Sequence, residues 1–369
     1  SRLYHIRSNR LWFDAENYTW DAARQQIRLA GDTAIRHHQK QTGNTTDVTF
    51  DGKLLGMDNT VSAGFDLNHS SLQHDNNTYT GNPRYVSLLS PETGFFDSDL
   101  PFIPRYRNTA DQYALFVEDR LAVTGQLSLV AGLRHDRIRI RRDDLITGSR
   151  AFSRTWNSTG HRLGAVYALT PTLSVYAQHS RAADPSTAKA DMTIGRQIEV
   201  GIKQSLPQQR GEWTLAAYNI TKHNLQSRDP ANPENSIQVG KQSSRGIEGT
   251  LSLALSSTLR LDADATVLRA RYDDFNDAVD GAIVSRGGNT PPDVPERLAN
   301  LWLSWQMHPQ WTLSGGARHV GKRHANRAND LTLPAYTTAD LALKWQPSDA
   351  TTLALHGHNI FNRHYYSTV

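Results

Sequence analysis

The chain has 369 residues, no cysteine, 40 lysines and arginines against 36 aspartates and glutamates, and a formal net charge of +4. The absent thiols exclude a disulfide scaffold, a thiolate metal site and a cysteine nucleophile. Acids and bases are interspersed without a block of one sign, so nucleic acid is not an expected partner.

Mean hydropathy is −0.57, and no apolar run approaches the length of a membrane-spanning helix; the best, Leu127 to Leu133, is interrupted by Ser128. The N-terminal Ser1-Arg2-Leu3-Tyr4 has no basic start, apolar centre or small-residue cleavage site, which predicts either a cytoplasmic protein or part of a longer chain. Helix-period stretches are hard to find, whereas apolar residues recur at every second position from Val61 onward. The expected fold class is therefore all-β.

In chain order the predicted hairpins are Tyr113 to Leu121 with Gln126 to Arg139, Arg162 to Leu169 with Thr172 to Ser180, and Gln197 to Ser205 with Glu212 to Lys222. Then follow Arg245 to Leu255 with Thr258 to Arg271, Arg297 to Trp305 with Trp311 to Gly321, and Tyr336 to Trp345 with Thr351 to Phe361. Their joints carry turn formers such as Gly125, Pro171, Pro207, Pro309 and Pro347. Between hairpins the segments Arg141 to Asn157, Arg181 to Arg196, Asn224 to Ser244, Tyr272 to Glu296 and Lys322 to Pro334 are long and polar, and are expected to be loops. Short turns and long loops then alternate, so an up-and-down meander gathers the turns at one end and the loops at the other. This is the asymmetry of a transmembrane antiparallel β-barrel with short periplasmic turns and long extracellular loops.

Each predicted strand has one oily and one polar face: Leu259, Leu261, Ala263, Ala265 and Val267 against Arg260, Asp262 and Asp264, or Ile198, Val200 and Ile202 against Gln197, Glu199 and Lys203. A soluble sandwich would turn the oil inward. Three features point it outward. Trp213, Trp305, Trp311 and Trp345 sit beside the short turns, where a barrel carries its interfacial aromatic belt. Ala177, Gly249, Ala263 and Ala265 would underfill a protein core. The charged face suits a wet lumen.

Five stretches, in order, resemble the barrel of TonB-dependent outer-membrane receptors, especially the ferric-siderophore group. They are DQYALFVEDRLAVTGQLSLVAGLRHDRI (Asp111 to Ile138), GRQIEVGIKQSL (Gly195 to Leu206), VGKQSSRGIEGTLSLAL (Val239 to Leu255), LPAYTTADLALKW (Leu333 to Trp345) and LALHGHNIFNRHYYST (Leu353 to Thr368). Gly246 in the third is expected to provide backbone freedom or room for a neighbour, and Asn359 and Asn362 in the last to hold a bend. The resemblance implies a partial barrel over residues 1–369, roughly 16 of about 22 strands, with the signal peptide, TonB box, plug and final strand outside this sequence. It implies an outer-membrane, monomeric receptor for energy-coupled uptake of a ferric siderophore, with iron as cargo and no cofactor. The implied partners are the TonB–ExbB–ExbD complex, acting through the N-terminal part, the ferric chelate itself, and outer-membrane lipid. Haem or cobalamin are alternative cargoes. The rival class is a passive porin-like or adhesin barrel, or an outer-membrane hydrolase.

No enzyme is expected, because the sequence has no Gly-x-Ser-x-Gly, His-Glu-x-x-His or phosphate loop. His37 with His38, His356 with His358, and His319 with His324 lack a readable third metal ligand. Asp262 and Asp264, on one strand face, read as repelling, hydrated groups. For ligand binding the strongest segment is Asn82 to Tyr113, read as one connection holding Arg84, Tyr85, Phe95, Phe96, Phe102, Arg105, Tyr106 and Arg107. Aromatic planes and guanidinium forks suit a rigid anionic chelate, and the same residues could instead form a small core of the loop. Trp156 and Tyr272, together with His223, are weaker candidates at other outer strand ends.

Overall fold

In the computed structural model the alternating pattern becomes one continuous antiparallel sheet. The structure describes residues 1–79, 84–90, 101–185, 191–229 and 232–367. The first strands are β1 (Arg2–Asp21), β2 (Gln26–Leu54), β3 (Met57–Tyr79), β4 (Arg84–Ser87), β5 (Ile103–Ala122), β6 (Leu127–Asp144) and β7 (Arg150–Thr170). Next come β8 (Leu173–Asp184), β9 (Thr193–Ser205), β10 (Gly211–Asp229), β11 (Asn232–Ala254), β12 (Leu259–Asp274), β13 (Asn276–Val279) and β14 (Ala282–Ser285). The last are β15 (Arg297–His308), β16 (Trp311–Val320), β17 (Arg323–His324), β18 (Thr332–Leu333), β19 (Tyr336–Ser348) and β20 (Thr351–Gly357). The main sheet has 16 strands: a meander from β1 to β20 in which each strand pairs with the next, plus β4, which pairs with β2 beyond the reach of β3. β13–β14 and β17–β18 are small hairpins inside two connections.

The faces divide as the residue types dictate. On β6 the outward Leu129, Ala131, Leu133, His135, Arg137 and Arg139 are exposed, while the residues between them are half-buried or buried. Outward apolar residues stay uncovered: Leu133 is 57%, Ile198 56% and Val267 59% exposed. Oil therefore lies outside the sheet, as the small outward residues predicted. On β12 the apolar outward row from Leu259 to Val267 covers about 26 Å of tilted strand. Arg269 follows directly above it. At the lower edge the Trp311 and Trp345 rings stack 5.4 Å apart, and the Trp213 indole N–H bonds Gln204.

On the inward face the sheet is tightened by aromatic rings laid over directly paired glycines: Tyr4 on Gly43, Phe116 on Gly64, Tyr176 on Gly201, Tyr218 on Gly246 and Trp302 on Gly316. Gly246 thus provides room: a Cβ there would meet the Tyr218 hydroxyl at 2.7 Å and the Val267 carbonyl at 2.8 Å. The lower turns are short. Leu55 and Gly56 alone join β2 to β3, both at positive φ, as a tight two-residue hairpin demands. Thr124 and Thr170 each accept two backbone N–H groups of their own turns. Asn359 holds its bend as expected, bonding Arg363 through both N–H and carbonyl.

Several expectations need correction. The sheet begins well before Val61, with three strands of 20, 29 and 23 residues. Arg141 to Asn157 is no long loop: β6 and β7 continue their ladder to a five-residue turn, in which Asp144 accepts the Ile146 and Thr147 N–H groups. Asn224 to Ser244 is likewise largely ladder, and in Arg181 to Arg196 the two ends, Arg181 to Asp184 and Thr193 to Arg196, pair with each other, while residues 186–190 lie outside the described ones. Asn82 to Tyr113 is not one connection, because Arg84–Ser87 and everything from Ile103 are strand. Finally, β20 stops at Gly357, short of Phe361.

Candidate ligand-binding wall and mouth

The inward face of β6 read from bottom to top is Gly132, Arg134, Asp136, Ile138, Ile140, Arg142 and Asp144. It thus passes from an ionic level through an apolar one to a cationic one. The span from Arg134 to Arg142 is about 26 Å along the strand.

At the ionic level Arg134 forks between Asp66 on β3 and Asp136, meeting the latter at 3.0 Å, and Gln112 donates to Asp136 at 3.0 Å. These groups line a cavity of about 810 Å³ that also reaches Glu118, Arg162 and Ile140. Tyr176 donates to Glu199 at 2.8 Å further round the wall, and Gln197 donates to the same carboxylate. Asp262 and Asp264 are both engaged, the first by Arg260 and Ser252 and the second by Asn300. They form no carboxylate pair.

Above lies the one buried apolar cluster among the described residues: Ile138, Ile140, Trp156 and Met192, with Ala110, Phe152 and Ala183 against it. Trp156 is 5% exposed and carries the Arg154 guanidinium 5.3 Å from its ring centre.

The mouth is a stripe of stacked rings and cations crossing five neighbouring strands. Arg10 lies 3.9 Å over Trp12, whose ring meets His37 edge-on. His37 and His74 share a hydrogen bond of 2.8 Å. The His74 ring stacks on Tyr106 at 4.6 Å and 4°, and Arg142 covers the Tyr106 ring at 4.3 Å. The strand register produces this row, since Arg10 is opposite His37, His37 opposite His74, and His74 opposite Tyr106. Burial lowers the proton affinity of both histidines, helped at His37 by Arg10 and at His74 by His37.

The sequence candidates do not converge on one loop. Tyr106 belongs to the stripe and Trp156 to the apolar cluster. Arg107 bonds Gln73 on the opposite, outward face, and Phe102 lies 4.4 Å under Arg36, which is tied to the buried Asp75. Arg105 bonds Asn76. Arg84 and Tyr85 are on β4 near the β1–β2 turn, Tyr85 beneath Arg24 at 4.6 Å. Tyr272 is in another region, 6% exposed and stacked on Phe275 where β12 enters its loop. Phe95 and Phe96 lie outside the described residues. His37 and His38, adjacent in sequence, part to opposite faces, and His38 bonds Asn9 and approaches Asp75. No group of three possible metal ligands occurs among the described residues. Sequence reading missed His74, Arg142 and the Arg134 fork, which only register brings together.

The sequence matches the profile of the TonB dependent receptor-like β-barrel family over residues 3–360. The chain belongs to this family. Its apolar outward belt is the surface that meets the outer-membrane bilayer, with the short turns on the periplasmic side. The chain is 26% identical over 301 residues to the metal-pseudopaline receptor of Pseudomonas aeruginosa, covering 77% of this chain and 42% of the relative. It is 27% identical over 286 residues to the ferrioxamine receptor of Yersinia enterocolitica, covering 73% and 39%. Among solved structures, the siderophore receptor PiuA from Acinetobacter baumannii superposes with a TM-score of 0.83 at 17% identity, over 99% of this chain and 58% of that one. The matched parts of the chain therefore cover less than half the length of both curated relatives.

Proposed function

We propose that the protein containing this chain is a receptor for energy-coupled uptake of a ferric siderophore, and that this chain supplies most of the wall and mouth of its barrel. The observation that carries the reading is the vertical order on the inward face. A cation-on-aromatic stripe forms the mouth, an apolar patch follows, and an ionic level centred on the Arg134 fork lies below. A ferric chelate is bulky, rigid and often anionic. It can lie against Tyr106 and the Trp156 cluster while Arg142, which faces an aromatic ring and Asn108, offers its remaining N–H groups to the ligand's oxygens. The names of the two curated relatives support a siderophore as the ligand class. No bond-making chemistry is assigned. Coupling to TonB–ExbB–ExbD belongs to the parts of such receptors outside this sequence.

The test is binding of a ferric hydroxamate, a ferric catecholate and haem to the full-length protein, followed by tryptophan fluorescence quenching. The reading expects saturable binding of one ferric chelate, weakened about tenfold in Arg142→Gln. Saturable binding of haem alone, or no response to Arg142→Gln and Tyr106→Ala, refutes it.

A further inference from the structure

Among the described residues two imidazoles come together in three places. His161 and His179 share a hydrogen bond of 3.2 Å on the outward face, opposite the exposed Leu133 and Leu163. His356 and His358 stack 6.2 Å apart at the end of β20. Of the three pairs, only His37 and His74 belong to the stripe at the mouth, directly opposite each other on β2 and β3. His37 Nε2 and His74 Nδ1 are 2.8 Å apart. Two nitrogens that each bind one metal at about 2.1 Å stand about 3 Å apart in adjacent coordination positions and about 4.2 Å apart in opposite ones. The pair therefore matches adjacent positions, and not the two axial positions on either side of a haem iron.

Both rings are held in place and half-buried, His37 edge-on against Trp12 at 5.2 Å and His74 flat on Tyr106 at 4.6 Å. Burial lowers their proton affinity, so at pH 7 both are neutral and each has a lone pair to give. A bare metal ion is nevertheless a poor occupant. The described residues bring no third histidine or carboxylate to the pair. Arg10 acts on His37, and Arg142 and Arg105 act on His74, with positive charge that also repels a dication. A metal that arrives inside an anionic chelator escapes this repulsion and brings its remaining ligands with it. Imidazole suits copper, nickel and zinc, and a chelate that fills every position of its metal has no use for the pair.

We propose that His37 and His74 form a two-nitrogen docking site for an anionic chelate of a divalent transition metal with two adjacent coordination positions open. The mouth then binds the metal itself as well as its chelator. The proposal rests on the reading of this mouth as a chelate site and widens its ligands beyond ferric complexes. On docking, the metal gives up two waters. The proton of the hydrogen bond between the rings passes through water to the far nitrogen of the ring that carried it, so each imidazole stays neutral and no net proton is released.

The test titrates the full-length protein with copper(II) nitrilotriacetate, an anionic complex with two adjacent positions open, and with copper(II) ethylenediaminetetraacetate, whose chelator occupies them. Bound copper is counted by electron paramagnetic resonance, in which nitrogen ligands split the signal, and by tryptophan quenching, since Trp12 lies against His37. His161→Gln with His356→Gln breaks the other two histidine pairs and should keep the mouth equivalent of copper. Adding His37→Gln or His74→Gln should remove it. Arg142→Gln should weaken the nitrilotriacetate complex about tenfold and tighten bare copper(II), opposite signs that a folding defect does not produce. A mouth equivalent that survives both histidine variants, equal binding of the ethylenediaminetetraacetate complex, or weaker bare copper in Arg142→Gln overturns the proposal. A ferric chelate that binds where copper nitrilotriacetate does not overturns it and leaves the siderophore reading standing. Copper nitrilotriacetate held by the pair in a protein that binds no ferric chelate supports it and overturns that reading instead.

Discussion

The lower wall and the mouth use the same residue types to opposite ends. In the wall, Arg134 is enclosed by Asp66 and Asp136, and rings are seated on glycines. Its central cation is spent on carboxylates. In the mouth, Arg142 and Arg10 face aromatic rings, so each guanidinium keeps unspent hydrogen-bonding capacity. The difference teaches how to sort arginines in such a barrel. One held by carboxylates shapes the lumen, and one held by a ring with no carboxylate beside it, as Arg142 is, is available to a ligand.

The sharpest break between the two regions should come from Gly316→Val. A Cβ at that position would lie 2.1 Å from the Trp302 ring and 2.7 Å from the Leu301 carbonyl. Since a backbone atom cannot step aside, the variant should lose about 3 kcal/mol, read as a lower unfolding midpoint in urea. Trp302→Ala with Gly316→Val should recover part of the loss. Next in size is Arg134→Gln, which leaves Asp66 and Asp136 without their cation and should cost about 2 kcal/mol by the same measurement. Ligand affinity should follow only in proportion to the folded fraction. Arg142→Gln should do the reverse, with an unchanged midpoint and weaker chelate binding. If Arg142→Gln destabilises the protein as much as Arg134→Gln does, the division between wall and mouth is wrong.

The sequence reveals the wall more readily than the mouth for a physical reason. Where strands cross the bilayer, one face must be apolar, so Leu259 to Val267 or Leu127 to Leu133 show period 2 plainly. Above the bilayer both faces are wet. β1 and β2 carry Arg7, Asn9, Arg36 and His38 outward and Arg10, His37 and Gln39 inward, the alternation disappears, and ladder is mistaken for loop from Arg141 to Asn157 and from Asn224 to Ser244. Of the aromatic and arginine residues read from Asn82 to Tyr113, Tyr106 is the one that enters the stripe. Its partners His37, His74 and Arg142 come from other strands, and no local pattern marks a residue that matters through its register.

The smallest expected effect is a pH dependence confined to the mouth. His37 and His74 lie above the bilayer, share one hydrogen bond, and are both held below the ordinary histidine value of 6.5. When the upper ladder between β2 and β3 opens, each ring returns to that ordinary value and takes up a proton that the closed form refuses. The closed form is therefore favoured in full above pH 6.5, and the advantage is lost as pH falls from there toward the depressed values, with no further change below them. Amide hydrogen exchange at Arg36 to Gln39, corrected for intrinsic rates, should show protection falling between pH 7.5 and 5.5, while the ladder beside Arg134 keeps its protection. His74→Gln, which removes one titrating ring and the stack on Tyr106, should flatten most of the difference. An equal loss of protection in wall and mouth would mean that acid acts on the whole sheet, and that the paired histidines do not set the response.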